Sequence, residues 1–317
     1  MDLKSLRYFV AVAELGHMTR AAERLGIQQP PLSLQIKGLE RELGVVLFRR
    51  HPRGVALTEA GHQFQAEAER LLAEVDAMRH RMTRVAQGEE GRLAIGLTSS
   101  AAAHRFVPDL LRAFRQAHPR VQLQLQEANA DGLTQAVEGR RVHCALLRVP
   151  VAQPPGLVFE TLLREPVLVA VPHDHPLALE CGGKATEKGR GRGAKVGAPM
   201  GSVSLGRLCE EGLILVRSPG APGLYAELLA LCRAQGLQPR VVAEVARMMS
   251  NLNLVAAGVG VSVVPQSMAG VHGHAIAYLA LEGGDTIDAP LTMVTRGDEG
   301  HLPARRFIEL ARQMAAQ

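Results

Sequence analysis

The first 43 residues carry apolar side chains at the spacing of three short helices, and this pattern constrains the fold more than any other feature. Gly16 separates the first two predicted helices, and Gly26 lies in the tight turn between the second and the third. Pro30 and Pro31 fall in the first turn of the third helix, where a missing backbone N–H does no harm. Two helices joined by a short glycine-containing turn predict a helix-turn-helix.

A β-hairpin is predicted directly after the third helix. Residues 45–50 and 55–57 have strand character, and residues 51–54 contain the proline and glycine of a turn. Arg49, Arg50 and Arg53 lie beside this turn, where they can meet a phosphate backbone or enter a minor groove. The hairpin therefore predicts a wing attached to the helix-turn-helix.

Positive charge is concentrated in the same part of the chain. The whole chain has 36 Lys and Arg against 31 Asp and Glu, a formal net charge of +5. Residues 1–57 hold nine basic and five acidic side chains, so most of this excess lies in less than a fifth of the sequence. A local basic patch is typical of nucleic-acid binding, although a solvated charged surface gives the same composition.

A long helix is predicted from residue 59 onward, because no proline interrupts the sequence until well past residue 87. Its apolar residues alternate at spacings of four and three, the heptad pattern of a coiled coil, and they are Phe64, Ala68, Leu71, Val75, Met78, Met82 and Val85. Thirty helical residues span about 45 Å. The pattern favours a dimerising linker helix, and an amphipathic helix packed on its own domain is the alternative.

The remaining sequence alternates predicted strands and helices, which is typical of a doubly wound α/β fold in two lobes. We expect a DNA-binding domain at 1–58, a linker at 59–91 and a two-lobed α/β domain at 92–317, whose interlobe cleft would bind a ligand. Lobe one is predicted at 92–165 and 270–317, and lobe two at 166–269. The strands at 275–281 and 291–295 and the helix at 303–316 are thus expected to return to lobe one.

Residues 180–203 are rich in glycine, lysine and arginine and have no repeat, which predicts a mobile loop. Contact of this segment with DNA or with an anion is the alternative.

Two predicted helix starts carry hydroxyl or turn residues suited to an anion. Thr98, Ser99 and Ser100 follow the first strand of lobe one and begin a helix. The turn from Ser218 to Gly223, which includes Pro222, precedes a helix of lobe two in the same way. Helix N-termini attract anions, and ligands of such folds bind in a cleft at the strand ends. Simple helix capping is the alternative role for the hydroxyl groups.

Several classes of function find little support in the sequence. No segment approaches the ~20 apolar residues of a membrane span, and no secretory signal precedes the first helix, so we expect a cytoplasmic protein. The four cysteines lack the spacing of a zinc site or a disulfide framework, and we expect neither a metal nor a cofactor. His173 with His175, and His272 with His274, are interpreted as loop histidines. No GxSxG, HExxH, P-loop or GxGxxG motif indicates an enzyme.

Six N-terminal motifs carry a resemblance to a known family. They are LRYFVAVAE (6–14), RAAERL (20–25), QPPLS (29–33), LERELG (39–44), LFRR (47–50) and LTEAG (57–61). With LVAAGVGV (254–261) and HPL (175–177), they make the chain similar to LysR-type transcriptional regulators along essentially its whole length. The segment SPGAPGLY (218–225) resembles a subset of the family that senses small organic or aromatic acids. A solute-binding protein, or an enzyme with an accessory DNA-binding domain, is the alternative.

The resemblance implies a winged helix-turn-helix, a long linker helix and a two-lobed effector domain like a type 2 periplasmic binding protein. It implies double-stranded DNA and a small organic-acid co-inducer as partners, a homodimer through the linker helix, and commonly a homotetramer. It leaves room for RNA polymerase as a further partner. Arg148 and Arg164 look like the family positions that can grip a carboxylate.

The third helix is expected to enter the major groove of DNA. Gln29 and Ser33 can bond to base edges, Pro30 and Pro31 can contact thymine methyl groups, and Lys37 can meet a base or a phosphate. Thr19 and Thr58, near helix starts, are candidate phosphate contacts, beside sequence-independent binding by the wing arginines. Family members often carry a basic residue after the serine, whereas this chain has Leu34.

Overall fold

The structure, a computed structural model, forms two compact units, Met1–Gln87 and Gly88–Gln317. The described residues are 1–148, 153–185, 199–217, 224–283 and 287–317. Each unit has its own apolar core. Among the described helices, none combines the length and the apolar character that crossing a bilayer requires.

The first unit begins with the three predicted helices, α1 (Leu3–Leu15), α2 (Met18–Leu25) and α3 (Gln29–Leu43). Gly16 and Gly26 end α1 and α2 in the left-handed conformation, with φ of 59° and 65°. A side chain at these positions would be strained, which explains why glycine forms both turns. The predicted helix-turn-helix is confirmed.

The wing is an antiparallel hairpin of β1 (Phe48–His51) and β2 (Gly54–Leu57). The predicted first strand began at residue 45, which is three residues too early. The backbone N–H of Leu47, the residue just before β1, donates to the carboxylate of Glu40 at 2.8 Å instead of to a partner strand. This side chain therefore sets where β1 begins.

The long helix α4 (Glu59–Ala86) follows the wing. The first part of its apolar seam packs into the core of the first unit, where the rings of Phe64 and Phe9 meet edge to face at 4.8 Å. Farther along, Met78, Met82 and Val85 are 49%, 56% and 45% exposed. The interpretation as a helix packed on its own domain thus holds for the first half of α4, and the second half carries exposed apolar side chains.

The start of α4 touches the wing closely at Gly61. A Cβ atom there would lie 2.2 Å from the carbonyl oxygen of Leu47 and 2.9 Å from the side chain of Leu57. We expect Gly61→Ala to destabilise the first unit by about 1–3 kcal/mol, because the backbone must shift to remove this overlap. Hydrogen exchange of the full-length chain tests this prediction, and Gly61→Ala should exchange faster than wild type in residues 1–87 only.

Gly38→Ala is the matched control for this prediction. Gly38 is also helical, and an added Cβ meets nothing within 4 Å. Alanine there is expected to leave exchange unchanged or slower, since it is the better helix former. Equal effects of the two substitutions would contradict the proposed overlap at Gly61.

Lobe one of the second unit is a five-stranded sheet covered by α6 (Phe106–Ala117), α7 (Ala130–Glu138) and α12 (Leu302–Ala315). The strands, in order across the sheet, are β4 (Val121–Glu127), β3 (Gly91–Leu97), β5 (Cys144–Arg148), β13 (Leu291–Arg296) and β6 (Leu157–Leu163). β3 is parallel to β4 and β5, while β13 is antiparallel to both of its neighbours. The short helix α5 (Ser99–Ala102) follows β3.

Lobe two contains a four-stranded sheet and a parallel pair. The four strands, in order, are β11 (Ser262–Pro265), β7 (Val167–Pro172), β12 (Ile276–Leu281) and β8 (Ser202–Val203), and the pair is β9 (Gly212–Val216) with β10 (Arg240–Val245). The helices of this lobe are α8 (Pro176–Ala185), α9 (Leu205–Glu210), α10 (Leu224–Ala234) and α11 (Met248–Ala256).

The predicted return to lobe one is wrong for residues 275–281. They form β12, which pairs antiparallel with β7 and parallel with β8, and so lie inside the sheet of lobe two. β12 has a partner strand on each edge, and five of its six residues are buried. The chain returns to lobe one only at β13, and the predicted boundary at 270 is too early.

The predicted loop at 180–203 is also wrong in part. The helix α8 runs to Ala185, and β8 begins at Ser202. Residues 186–198 lie outside the described residues. The helix predicted to begin at residues 98–100 is the short α5, and the separate helix α6 follows at Phe106.

Two stacked histidines lie in lobe one, His143 just before β5 and His301 at the N-cap of α12. The rings of His143 and His301 lie 4.1 Å apart, and Nδ1 of His143 accepts the N–H of Ala94 at 3.0 Å. Burial lowers the pKa of both imidazoles, and nearby Arg296 adds to this effect while Glu299 opposes it. The folded chain therefore prefers neutral rings, whereas the unfolded chain takes up protons near pH 6.5.

We expect the second unit to lose stability as the pH falls below about 6.5, because the unfolded state then binds more protons than the folded state. Above that pH both states are neutral and the penalty is absent. Urea unfolding between pH 7.5 and 5.5 checks it, with a lower midpoint expected at acidic pH. His143→Asn keeps an acceptor for Ala94 without titrating, and it should reduce the loss. A midpoint independent of pH would contradict this expectation.

Candidate nucleic-acid interface and ligand site

Two opposite stripes run along α3. Leu32, Ile36 and Leu39 are buried against the core of the first unit. The stripe offset by two residues faces away from that core, since two residues turn a helix by about 200°. It consists of Pro30, Leu34, Lys37 and Arg41, all exposed. The helix therefore presents a cationic face with one apolar residue to its surroundings.

The flank of this face contains Gln29 and Ser33, which are half-buried, and Pro31, which is exposed. The hydroxyl of Ser33 accepts a hydrogen bond from Nη2 of Arg50 at 3.4 Å. This contact connects α3 to the wing, so that the candidate base contacts and the candidate backbone contacts share one surface.

Arg49, Arg50 and Arg53 are all exposed on the wing. In the described part of the chain, none of their guanidinium groups pairs with a carboxylate. Nearby acids are engaged elsewhere: Glu40 accepts backbone N–H groups, and Glu42 binds the amino terminus. The positive field of this surface is thus left without internal compensation.

The two threonines predicted near phosphates differ in their surroundings. Thr19 is exposed in the first turn of α2. Thr58 is the N-cap of α4, where its hydroxyl accepts the N–H of Gly61 at 3.0 Å and donates to the carbonyl of Val46 at 2.7 Å. The hydroxyl of Thr58 is therefore already fully used in fixing α4 to the wing.

The hydroxyl residues after β3 are placed at a helix start as predicted. Thr98 caps α5 through a bond from the N–H of Ala101, at 3.2 Å. Thr98 and Ser100 are buried, with their oxygens 3.4 Å apart, and Ser99 is half-buried. Helix capping, the alternative considered from the sequence, accounts for Thr98. Ser218, Pro222 and Gly223 lie outside the described residues.

Arg148, at the end of β5, is held by an internal carboxylate. Its Nη2 forms an ion pair with Glu165 and also approaches the hydroxyl of Ser267 at 3.3 Å. The same nitrogen reaches the carbonyl of Ser100 at 3.3 Å, while Nη1 donates to the carbonyl of Ala289 at 2.5 Å. Burial lowers the pKa of Arg148, and Glu165 opposes this shift. A ligand carboxylate would have to compete with Glu165 for this guanidinium group.

The Arg148 cluster connects the two lobes. Ser100 and Arg148 belong to lobe one, whereas Ser267 follows β11 of lobe two. Glu165, in the segment between β6 and β7, also accepts the N–H of Ser267 at 2.7 Å. Glu165 and Ser267 were not predicted from the sequence, because no local motif marks them and they meet only through the tertiary fold.

Arg164 lies in a different environment. Its side chain is 65% exposed and forms an ion pair with Asp288 at 2.5 Å. This carboxylate raises the pKa of Arg164. Unlike Arg148, Arg164 is thus accessible to solvent and pairs at the surface.

Of the four histidines interpreted as loop residues, His173 and His272 have internal hydrogen-bond partners. The ring of His173 contacts the carbonyl of Gly273 at 3.0 Å, and the ring of His272 contacts the side-chain oxygen of Asn253 at 2.7 Å. Within the described ranges, no group of three or more His, Cys, Asp or Glu side chains is arranged to hold a metal ion.

Comparisons with known proteins agree with this arrangement of two domains. Residues 3–62 match the family model of the bacterial regulatory helix-turn-helix protein of the lysR family, and residues 86–185 and 198–316 match the LysR substrate binding domain. The chain is 37% identical to the uncharacterized HTH-type transcriptional regulator YnfL of Escherichia coli, over 97% of this chain and 96% of that one. It is 34% identical to the regulator BudR of Raoultella terrigena, over 98% and 100%.

A solved structure shows the same architecture. Full-length CbnR in complex with its target DNA is similar to this chain with a TM-score of 0.76 and 28% identity, over 99% of this chain and 100% of CbnR. A winged helix-turn-helix with an exposed basic face, followed by a two-lobed ligand-binding domain, defines a DNA-binding transcriptional regulator that responds to a small-molecule effector. The chain belongs to the LysR family of these regulators.

Proposed function

We propose that α3 is the recognition helix and that Gln29, Ser33 and Lys37 contact base edges in the major groove. Arg49, Arg50 and Arg53 supply binding to the phosphate backbone, and Pro30 and Pro31 border the bases. The observation that carries the proposal is a surface on α3 and the wing whose cations lack carboxylate partners in the described residues. The protein acts in the cytoplasm and without a catalytic step or a bound cofactor of its own.

A mobility-shift titration of the full-length chain on DNA from its own upstream region tests this assignment. Lys37→Ala should weaken binding and change the preferred sequence. Arg141→Ala, an exposed arginine of the second unit, should leave both unchanged. Equal behaviour of the two variants would refute the assignment of α3.

We propose that two chains pair through the second half of α4. Beside Met78 and Val75, a groove of about 1080 Å³ lies between α4 and the start of α1, with Leu3 and Leu71 in its wall. The apolar stripe of α4 from a second copy of the chain fits such an apolar groove. Dimers then assemble into a tetramer, whose mass should fall when Met78 and Met82 are replaced by glutamate.

We propose that the effector is a small organic acid bound between the lobes. Two elements support this proposal through their chemistry: the start of α5 at Thr98, Ser99 and Ser100, and the cluster at Arg148. The segment with Ser218, Pro222 and Gly223 supports it through its sequence pattern alone. Arg164, which is 65% exposed and pairs with Asp288, is a further candidate cation for the acid. Closure of the lobes on the acid changes the assembly and thereby the bending of bound DNA.

A thermal-shift screen of organic and aromatic acids against the full-length chain tests the effector class. An acid that binds the folded state should raise the unfolding temperature of the second unit. Stabilisation by neutral compounds alone would refute the proposed chemistry.

A further inference from the structure

Leu34 occupies the centre of the outward stripe of α3. Its side chain is 64% exposed, among the most exposed large apolar side chains in the described part of the chain. It lies two residues from both Leu32 and Ile36 of the buried stripe, so it points directly away from the core. Packing within the first unit therefore does not account for leucine at this position, and a surface helix position ordinarily favours a polar side chain.

The surroundings of Leu34 are cationic. Lys37 and Arg41 follow it on the same stripe, and Arg50 of the wing reaches the adjacent Ser33. The acids of α3 point elsewhere, since Glu40 binds backbone N–H groups and Glu42 binds the amino terminus. A partner that complements this surface is therefore negatively charged and presents an apolar group opposite Leu34.

Duplex DNA meets both requirements in its major groove. Phosphates line the groove on both sides, and the 5-methyl group of thymine is the apolar group that unmodified bases present there. We propose that Leu34 is a specificity-determining residue, whose side chain packs on the methyl group of one thymine in each half-site. This inference rests on the proposed function of α3 as the recognition helix.

Replacing thymine by uracil removes this methyl group and nothing else. Binding sites are first selected from random duplexes with the full-length chain, and each thymine of the selected site is then replaced in turn by deoxyuridine. At one thymine per half-site, we expect the Kd of the wild-type chain to rise about fourfold for each methyl group removed.

Leu34→Ala separates the contact from the rest of the interface. The variant should fold normally, because the side chain is exposed and alanine is the better helix former. It should bind the thymine site more weakly than wild type. The uracil effect, defined as the Kd for the uracil site divided by the Kd for the thymine site, should fall nearly to onefold in this variant, as a double-mutant cycle requires for a direct contact. Leu179→Ala is the matched control, since Leu179 is equally exposed, at 64%, but lies on α8 of the second unit. Its uracil effect should remain about fourfold.

Four results would overturn the proposal, and they differ in what else they affect. If uracil is tolerated at every position, or if Leu34→Ala retains the full uracil effect, the assignment of Leu34 fails while the role of α3 stands. If Leu34→Ala changes the mass of the assembly and not the uracil effect, Leu34 serves a protein contact instead. If the wild-type chain selects no duplex at all, the proposed function of α3 fails as well.

Discussion

Replacing Arg49, Arg50 and Arg53 together by glutamine is expected to weaken the binding of operator DNA by about a hundredfold or more near 0.1 M salt. The three guanidinium groups are exposed and have no carboxylate partner in the described residues. A dimer carries six of them, and removing one phosphate interaction should reduce the slope of log K against log salt by about 0.9. Fluorescence anisotropy over a series of salt concentrations measures both quantities.

The matched control removes the same charge from the second unit. Arg105, Arg112 and Arg140 are also exposed, with side chains 93%, 70% and 64% accessible. Their joint replacement by glutamine should leave the salt slope unchanged. If both triple variants lower the slope equally, net charge and not the wing governs binding, and the role assigned to the wing is wrong.

Glu165→Ala is expected to lower the free energy of unfolding of the second unit by about 3–5 kcal/mol. The substitution leaves the guanidinium group of Arg148 buried without its counter-charge, and its Nε already lacks a partner among the described residues. Ser267 also loses an acceptor for both its N–H and its hydroxyl. A urea titration in which unfolding is monitored by hydrogen exchange of residues 88–317 measures this decrease in the free energy of unfolding.

Two variants test the cause of that loss. Glu160→Ala removes a partly exposed carboxylate that pairs with Arg312, and it should cost less than about 1 kcal/mol. Replacing both members of the buried pair, as Arg148→Met with Glu165→Leu, should cost less than Glu165→Ala alone, because no unpaired charge remains. A loss at Glu165 no larger than at Glu160 would contradict a buried pair between the lobes.

The first unit was largely predictable because local signals determine it. Glycines that end helices, a proline in a first helical turn and an apolar stripe each act within a few residues. The start of β1 was missed because Glu40, seven residues before Leu47, replaces a strand partner there. The seam of α4 was ambiguous because one periodic pattern serves two different surfaces.

The second unit was less predictable because its two lobes share one sequence pattern. The residues of β12 are apolar throughout, so nothing local states which sheet receives them. The pairing of Arg148 with Glu165 and Ser267 brings together residues 17 and 119 positions apart. Periodicity predicts elements, but contacts over such separations depend on the assembled fold, and the candidate ligand site was therefore located only in part.

Selection of genomic fragments by the purified full-length chain at about 0.15 M salt, followed by footprinting, tests most directly whether α3 and the wing read a DNA sequence. We expect a small set of enriched fragments, each protected at paired half-sites whose centres lie one or more helical turns of about 34 Å apart. Fragments recovered in the proportions of the whole genome, with no protected half-sites, would contradict it.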